Sequence, residues 1–139
     1  MMLYAYPARL ERADEAEVLA TFPDIPEALT SGATDEEALA NAADALAVAI
    51  EGYLDARLAP PAPREPADGE VAVALDPGVA VRMRLHQAMA EENLSGRGLA
   101  VRLGCDEKIV RRILSGKGAT LEAGLDALKA LGVRPTLAA

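Results

Sequence analysis

The stretch FPDIPEALTSGATDEEALANAADAL, residues 22–46, contains the signals that decide how the first half of the chain folds. Pro23 and Pro26 remove two backbone hydrogen-bond donors and force an extended, non-helical path at the start of this stretch. Thr34 and Glu37 have the spacing of a capping box, in which each side chain accepts a hydrogen bond from the other residue's backbone N–H. A helix is therefore predicted to begin directly after Thr34.

Four short strands are predicted around this helix. Residues 3–10, 18–22 and 28–31 have the apolar and β-branched content of strands and are separated by turn residues. Pro7 predicts that the first of them is an edge or irregular strand, because proline cannot donate to a sheet ladder. Residues 71–75, VAVAL, predict a fourth strand that returns to the same sheet.

The long helix and the segment after it mark the end of a first domain. Apolar residues recur at steps of three and four and predict one buried helix face: Leu39, Ala42, Ala43, Leu46, Ile50, Tyr53, Leu54 and Leu58. The proline-rich residues 59–66 have the composition of a linker and are predicted to be extended. Since the strand at 71–75 follows them, we place the boundary later and predict domains of residues 1–77 and 78–139.

The second domain is predicted to contain helices only. Pro77 suits the first turn of a helix that runs to residue 92. Ser95, Asp106 and Thr120 each precede a periodic apolar run and predict the caps of three further helices. The helix after Asp106 is predicted to bury one apolar side: Ile109, Val110, Ile113 and Leu114. The fold class is therefore α+β, with a β-β-β-α-β domain followed by an all-α domain.

The charge of the chain is divided unequally between these domains. Residues 1–77 include 16 Asp or Glu and 4 Arg or Lys, a net charge of −12, whereas residues 78–139 include 6 and 10, a net charge of +4. Such asymmetry predicts partners of opposite charge. The acidic domain is expected to attract a basic surface, and the basic domain an acidic one.

Several kinds of chemistry have no support in the sequence. One cysteine, Cys105, and one histidine, His86, cannot form a recognisable metal-ligand cluster, so neither a metal nor another cofactor is expected. Asp24 and Glu27 lack a histidine or metal partner and are interpreted as turn residues. No apolar run reaches the length of about 20 residues that a membrane span needs, and no leader is recognisable. A cytoplasmic protein without a membrane partner is expected.

Residues 94–117, LSGRGLAVRLGCDEKIVRRILSGK, predict two short helices joined through Gly104. This layout is typical of a helix-turn-helix, and residues 81–131 resemble the lambda-repressor-like (Xre) DNA-binding domain. The alternative is a solvated helical face without a ligand. Six polar or basic residues are assigned to double-stranded operator DNA: Lys108, Arg111 and Arg112 to base edges or nearby phosphates, and Ser95, Arg97 and Lys117 to the backbone.

The first domain resembles the HicB antitoxin family over residues 3–75. The resemblance rests on YAYPARL at 4–10, on the Phe-Pro-Asp-x-Pro turn and Thr-x-x-Glu-Ala-x-x-Asn-Ala helix within residues 22–46, and on LAPPAP at 58–63. It departs from the family where glycines are frequent, at Asp-Glu-Ala in the first turn and Glu-Ala after the second proline. It implies a truncated ribonuclease H-like fold without an active site, which binds and masks a HicA toxin, a small basic messenger-RNA interferase.

The combined hypothesis is a type II antitoxin that is not itself an enzyme. The first domain would neutralise a HicA-like toxin, and the second would bind promoter DNA and repress its own operon, as a homodimer or a larger even-numbered oligomer. The alternative is a stand-alone transcriptional regulator whose first domain senses a small ligand. A residual hydrolase is a third hypothesis, which metal-dependent RNA cleavage by the purified chain would support.

Overall fold

The computed structural model describes residues 4–133. These residues form two compact units, Tyr4–Asp76 and a second that begins at Pro77. The predicted start of the first strand at residue 3 and the predicted domain end at 134–139 lie outside the described residues. The first unit contains β1 (Ala5–Asp14), β2 (Glu17–Thr21), β3 (Leu29–Gly32), α1 (Asp35–Asp55) and β4 (Val71–Ala74). The second contains α2 (Pro77–Glu91), α3 (Gly96–Leu103), α4 (Glu107–Ser115) and α5 (Leu121–Ala130). The α+β class is confirmed.

The four strands form one antiparallel sheet in the order β3-β2-β1-β4. Of the two alternatives predicted for β1, an edge or an irregular strand, the edge strand is wrong, because β1 lies between β2 and β4. The reason is that its two halves have different neighbours: residues 5–8 pair with β4, and residues 9–14 pair with β2. Its pairing with β2 is irregular, with a register shift between Arg12 and Asp14. Pro7 lies in the first half, opposite Ala72 of β4. In the described sheet it has a neighbouring strand on that side alone, a position that proline tolerates.

Helix α1 packs across this sheet and begins where the sequence predicts. The Thr34 hydroxyl accepts a hydrogen bond from the backbone N of Glu37 at 3.1 Å. The buried face follows the expected four-residue step: Ala38, Ala42, Leu46, Ile50 and Leu54. The predicted stripe is too long at its end, however. The helix ends at Asp55, so Leu58 lies beyond it and is exposed.

The proline-rich segment forms neither helix nor strand. Side-chain contacts hold it to the rest of the first unit. The Tyr6 hydroxyl, whose ring is buried, donates a hydrogen bond to the backbone oxygen of Pro61 at 2.7 Å. Burial raises the pKa of Tyr6 to about 12, which favours the protonated hydroxyl that donates this hydrogen bond. The segment therefore returns the chain from α1 to β4 along a fixed path.

The four helices of the second unit enclose one aliphatic core: Val81, Leu85, Ala88, Met89, Leu99, Ala100, Val110, Ile113, Ala127, Leu128 and Leu131. Thr120 caps α5 through a hydrogen bond from the backbone N of Ala123 at 3.1 Å, as predicted. Cys105 is partly buried and packs against this core. The prediction for Ile109 is wrong, since its side chain is 45% exposed, one position away from the buried Val110.

Candidate functional site

Helices α3 and α4 are two short helices joined by a tight turn, and side chains or glycine define each end. The Ser95 hydroxyl accepts from the backbone N of Gly98 at 3.0 Å, and an Asp106 carboxylate oxygen accepts from the backbone N of Lys108 at 2.9 Å. Gly104 ends α3 with φ 66° and ψ 36°, a left-handed conformation that glycine adopts without steric cost. These features fix the direction in which α4 leaves the turn.

The basic residues assigned to DNA lie on the exposed surface of this helix pair. Arg97 is on α3, Lys117 follows α4, and the other three are on α4 itself: Lys108, Arg111 and Arg112. Positions three and four apart lie on one side of a helix, so these three cations share the side of α4 opposite its buried residues. Those buried residues are Val110 and Ile113.

Within residues 4–133, two of the assigned side chains have partners in the protein. The Ser95 hydroxyl is the cap of α3, so its oxygen already accepts one hydrogen bond. Arg97 Nε lies 3.9 Å from a carboxylate oxygen of Glu107; the Arg97 side chain is largely exposed and that of Glu107 about half exposed. Such a pair is weak in water and exchanges easily for another anion. The acidic Glu107 nevertheless lowers the positive charge of this surface at the first turn of α4.

The end of α4 is held by Arg82, which the sequence did not single out, and by His86, which the sequence did not connect with this role. Buried Arg82 on α2 donates from Nε to the backbone oxygen of Leu114 at 2.9 Å. A ring nitrogen of His86 lies 3.2 Å from the same oxygen. These contacts satisfy a carbonyl that has no partner in the helix. Periodicity could not reveal them, because Arg82 reaches a backbone atom of another helix.

The first unit carries a dense group of paired charges beside the proline-rich segment. Arg64 donates from Nε to Asp24 at 2.7 Å and from Nη1 to Glu70 at 2.8 Å. The hydrogen bond from Arg64, together with one from the backbone N of Ala67, lowers the pKa of Glu70 to about 2. The two carboxylates in turn raise the pKa of Arg64. This network fastens the segment to the turn before β3.

Asp24 and Glu27 take separate structural roles. Asp24 binds Arg64, whereas both Glu27 carboxylate oxygens accept from the Tyr53 hydroxyl, at 3.0 and 3.1 Å. The hydrogen bond to Glu27 raises the pKa of Tyr53. In residues 4–133, no group of three or more His, Cys, Asp or Glu side chains is arranged to hold a metal ion. No helix in that range is long and apolar enough to cross a membrane.

Comparison with known proteins connects the first unit to a described family. Residues 5–85 match the HicB-like antitoxins of bacterial toxin–antitoxin systems. This chain belongs to that family. The matched residues include the whole sheet, α1 and the beginning of α2. The match ends before α3 and α4, so the family assignment does not extend to the basic helix pair.

Individual relatives agree with this assignment. Antitoxin HicB 2 of Photorhabdus laumondii is 41% identical over 90 residues, which cover 65% of this chain and 63% of that relative. Antitoxin HicB of Escherichia coli is 38% identical over 92 residues, covering 65% of each. Antitoxin HicB 1 of Photorhabdus laumondii is 54% identical over 50 residues, 36% of this chain and 32% of that protein. The chain thus spans less than two thirds of the length of these relatives.

Proposed function

We propose that this chain is a type II antitoxin that binds and neutralises a HicA-like messenger-RNA interferase and represses its own operon. The observation that carries the proposal is the family match over residues 5–85, which covers the first unit from Ala5 to its end at Asp76. Two relatives that match 65% of the chain are named antitoxin HicB 2 and antitoxin HicB. No catalytic role is assigned to the chain itself, and the ribonuclease H-like origin of its first unit belongs to the same proposal.

The charge of the first domain supports toxin binding by that domain. With a net charge of −12 over residues 1–77, it attracts a basic ribonuclease over a distance of about a Debye length, roughly 8 Å at physiological salt. A surface that binds RNA must carry positive charge to contact phosphates. An acidic domain placed on such a surface excludes RNA from it and thereby neutralises the toxin.

The second unit is proposed to bind the promoter through α4. Its short helix follows a glycine turn and presents Lys108, Arg111 and Arg112 on one side, the arrangement that a major-groove helix requires. Arg97, Lys117 and the cap residue Ser95 would contact the DNA backbone. Exposed Ile109 lies next to Lys108 at the start of α4, where an apolar side chain can contact a thymine methyl group.

The proposal includes self-association. One short helix reads only a few base pairs, so a homodimer on two half-sites, or a larger even-numbered oligomer, would supply the needed specificity. The expected spacing between half-site centres is about 10 base pairs or a multiple of it. Sedimentation of the chain with and without its operator would measure the stoichiometry.

Co-purification tests the proposed function. The full chain with an affinity tag is co-expressed with the short basic reading frame adjacent to its gene, and the complex is washed at moderate salt. A stoichiometric partner together with relief of growth arrest is the expected result. If the basic protein arrests growth and this chain neither binds it nor restores growth, the antitoxin proposal fails for this pair. Ligand screening of the first domain would then test the alternative, a small-molecule-sensing regulator.

A further inference from the structure

An open groove lies between strand β3 and helix α1 on the surface of the first unit. Its volume is about 530 Å³, and Leu29, Ala45, Val48 and Ala49 supply its apolar lining. Leu29 is 62% exposed and Val48 is 72% exposed. A single exposed aliphatic residue needs no explanation, but two that line one concave surface make that surface a candidate for contact with another molecule.

Two carboxylates accompany the apolar lining. Glu27 and Asp44 both line the groove. The hydrogen bonds from the Tyr53 hydroxyl to both oxygens of Glu27 hold that carboxylate in one orientation. No residue between positions 4 and 133 forms a salt bridge with the Asp44 side chain. The groove therefore offers negative charge that the first unit itself does not neutralise.

The two walls of the groove are joined and do not need to rearrange. The Asn41 side chain on α1 donates from Nδ2 to the backbone oxygen of Ser31 on β3 at 2.8 Å. Within the described sheet, β3 is an edge strand that pairs with β2 alone. A partner can therefore approach the groove from the side of β3 without displacing another strand. A preformed surface of this kind loses little conformational entropy on binding.

We propose that this groove is the docking site for the HicA-like toxin and that it takes an apolar side chain of that protein flanked by Lys or Arg. The inference rests on the proposed function and deepens it by naming the surface. Leu29 and Val48 would bury the apolar side chain, while Glu27 and Asp44 would pair with the flanking cations. Burial of an apolar centre within a charged rim is the usual anatomy of a protein interface.

The charge of the groove argues against the other occupants. A second copy of this chain, docked by the same surface, would place Glu27 and Asp44 opposite their own equivalents, and like charges in contact oppose association. A small molecule is a poor fit as well, because the groove is open to solvent and small-ligand sites bury most of the ligand surface. A basic protein surface satisfies both the apolar lining and the carboxylates.

Three substitutions at exposed groove positions test the proposal: Leu29→Lys, Val48→Lys and Val48→Glu. The matched control is Val71→Lys, because Val71 is 41% exposed on β4, at the other edge of the sheet. The probe is the purified product of the adjacent short basic reading frame, titrated into each full-length variant by calorimetry. Circular dichroism and the thermal midpoint of each variant establish that it is folded.

We expect both lysine variants at the groove to weaken the affinity by about tenfold or more, and Val71→Lys by less than about twofold. Val48→Glu should bind more tightly than Val48→Lys, because only the lysine repels a basic partner. Wild-type affinity in folded Leu29→Lys and Val48→Lys would overturn the inference and leave the proposed function intact. Equal losses in Val48→Glu and Val48→Lys would overturn its charge component.

Two further results would also overturn the inference. If the wild-type chain itself does not bind the basic protein, the proposed function fails and the inference fails with it. If the groove variants keep toxin binding but sediment as smaller oligomers than wild type and Val71→Lys, the occupant is a second copy of the chain.

Discussion

At the scale of single residues, Arg64 connects three separate parts of the first unit. It binds Asp24 in the turn before β3 and Glu70 just before β4, and it belongs to the proline-rich segment itself. Arg9 on β1 adds a second cation, with Nη2 at 3.3 Å from Glu70. A segment that lacks regular backbone hydrogen bonds is thus held by charged side chains, with the buried Tyr6 hydroxyl as an additional contact.

The Glu70 network predicts a dependence of stability on pH. Its folded-state pKa of about 2 lies below the usual 4.5, because Arg64 and the Ala67 N–H bind the charged form. The stabilisation is therefore complete above about pH 4.5 and is lost as the pH falls from there toward about 2. Glu70→Gln should lower the thermal midpoint at pH 7, and the difference from wild type should shrink through this interval. Thermal unfolding at several pH values measures it.

Glu65→Gln is the control for that experiment, because Glu65 is exposed in the same segment and contacts Arg64 only through its backbone oxygen. It should change the thermal midpoint little at any pH. A difference between Glu70→Gln and wild type that stays constant from pH 7 to pH 2.5 would contradict the assigned role of the carboxylate.

Gly104 and Gly116 allow the cost of a side chain to be compared at two helix ends. Both end short helices in the left-handed conformation, with φ 66° and 73°. A methyl group on Gly104 would meet nothing within 4 Å, whereas on Gly116 it would lie 2.7 Å from Cδ of buried Arg82. Gly104→Ala should cost about 1 kcal/mol in unfolding free energy. Gly116→Ala should cost a further 1–3 kcal/mol or so, since Arg82 must move away from the Leu114 oxygen.

Urea unfolding of the two variants measures this difference. Both substitutions lie in the second unit, so any contribution from the first unit cancels in the comparison. Equal costs for the two substitutions would show that Arg82 adapts freely and does not hold the end of α4.

At the scale of secondary-structure elements, α4 carries the proposed DNA-reading function. Arg111 should read base edges, so Arg111→Ala is expected to reduce discrimination between operator and scrambled DNA by about 1–3 kcal/mol. Lys117, beyond the end of the helix, should contact phosphate only. Lys117→Ala is therefore expected to weaken both duplexes alike. Fluorescence titration at constant salt measures both, and identical behaviour of the two variants would contradict the assignment.

The helices and strands differ in how well the sequence predicts their bounds and their buried faces. Caps and periodicity predict α1 and the three short helices well, because Thr34, Ser95 and Asp106 act locally. The extent of β1 is missed, since its charged second half is a strand through pairing with β2 rather than through its own composition. Ile109 is misplaced because it lies at the edge of the buried face of α4, which is centred on Val110 and Ile113, and periodicity alone does not locate that centre.

The two candidate sites also differ in how well the sequence predicts them. Cations on α4 can be predicted from a local pattern, since helix geometry alone places positions 108, 111 and 112 on one side. The groove could not be predicted, because it depends on an edge strand and a helix lying next to each other. Val48 is absent from the predicted buried face of α1, but only the fold shows that it lines a groove together with exposed Leu29.

At the scale of the whole molecule, the opposite net charges of the two domains support the proposal of two separable binding activities. The acidic residues of the first domain repel DNA, and the cations of α4 lie on the other unit. Toxin binding and DNA binding should therefore respond to different substitutions. Val48→Lys is expected to impair the first and Arg111→Ala the second.

The most direct measurement of the central claim is RNA cleavage by the purified product of the adjacent basic reading frame, with increasing amounts of the full chain. We predict that cleavage stops at about one first unit per toxin molecule, as expected for tight binding well above its dissociation constant. Arg111→Ala should inhibit as well as wild type. Continued cleavage of RNA at a large excess of the folded chain would contradict the account.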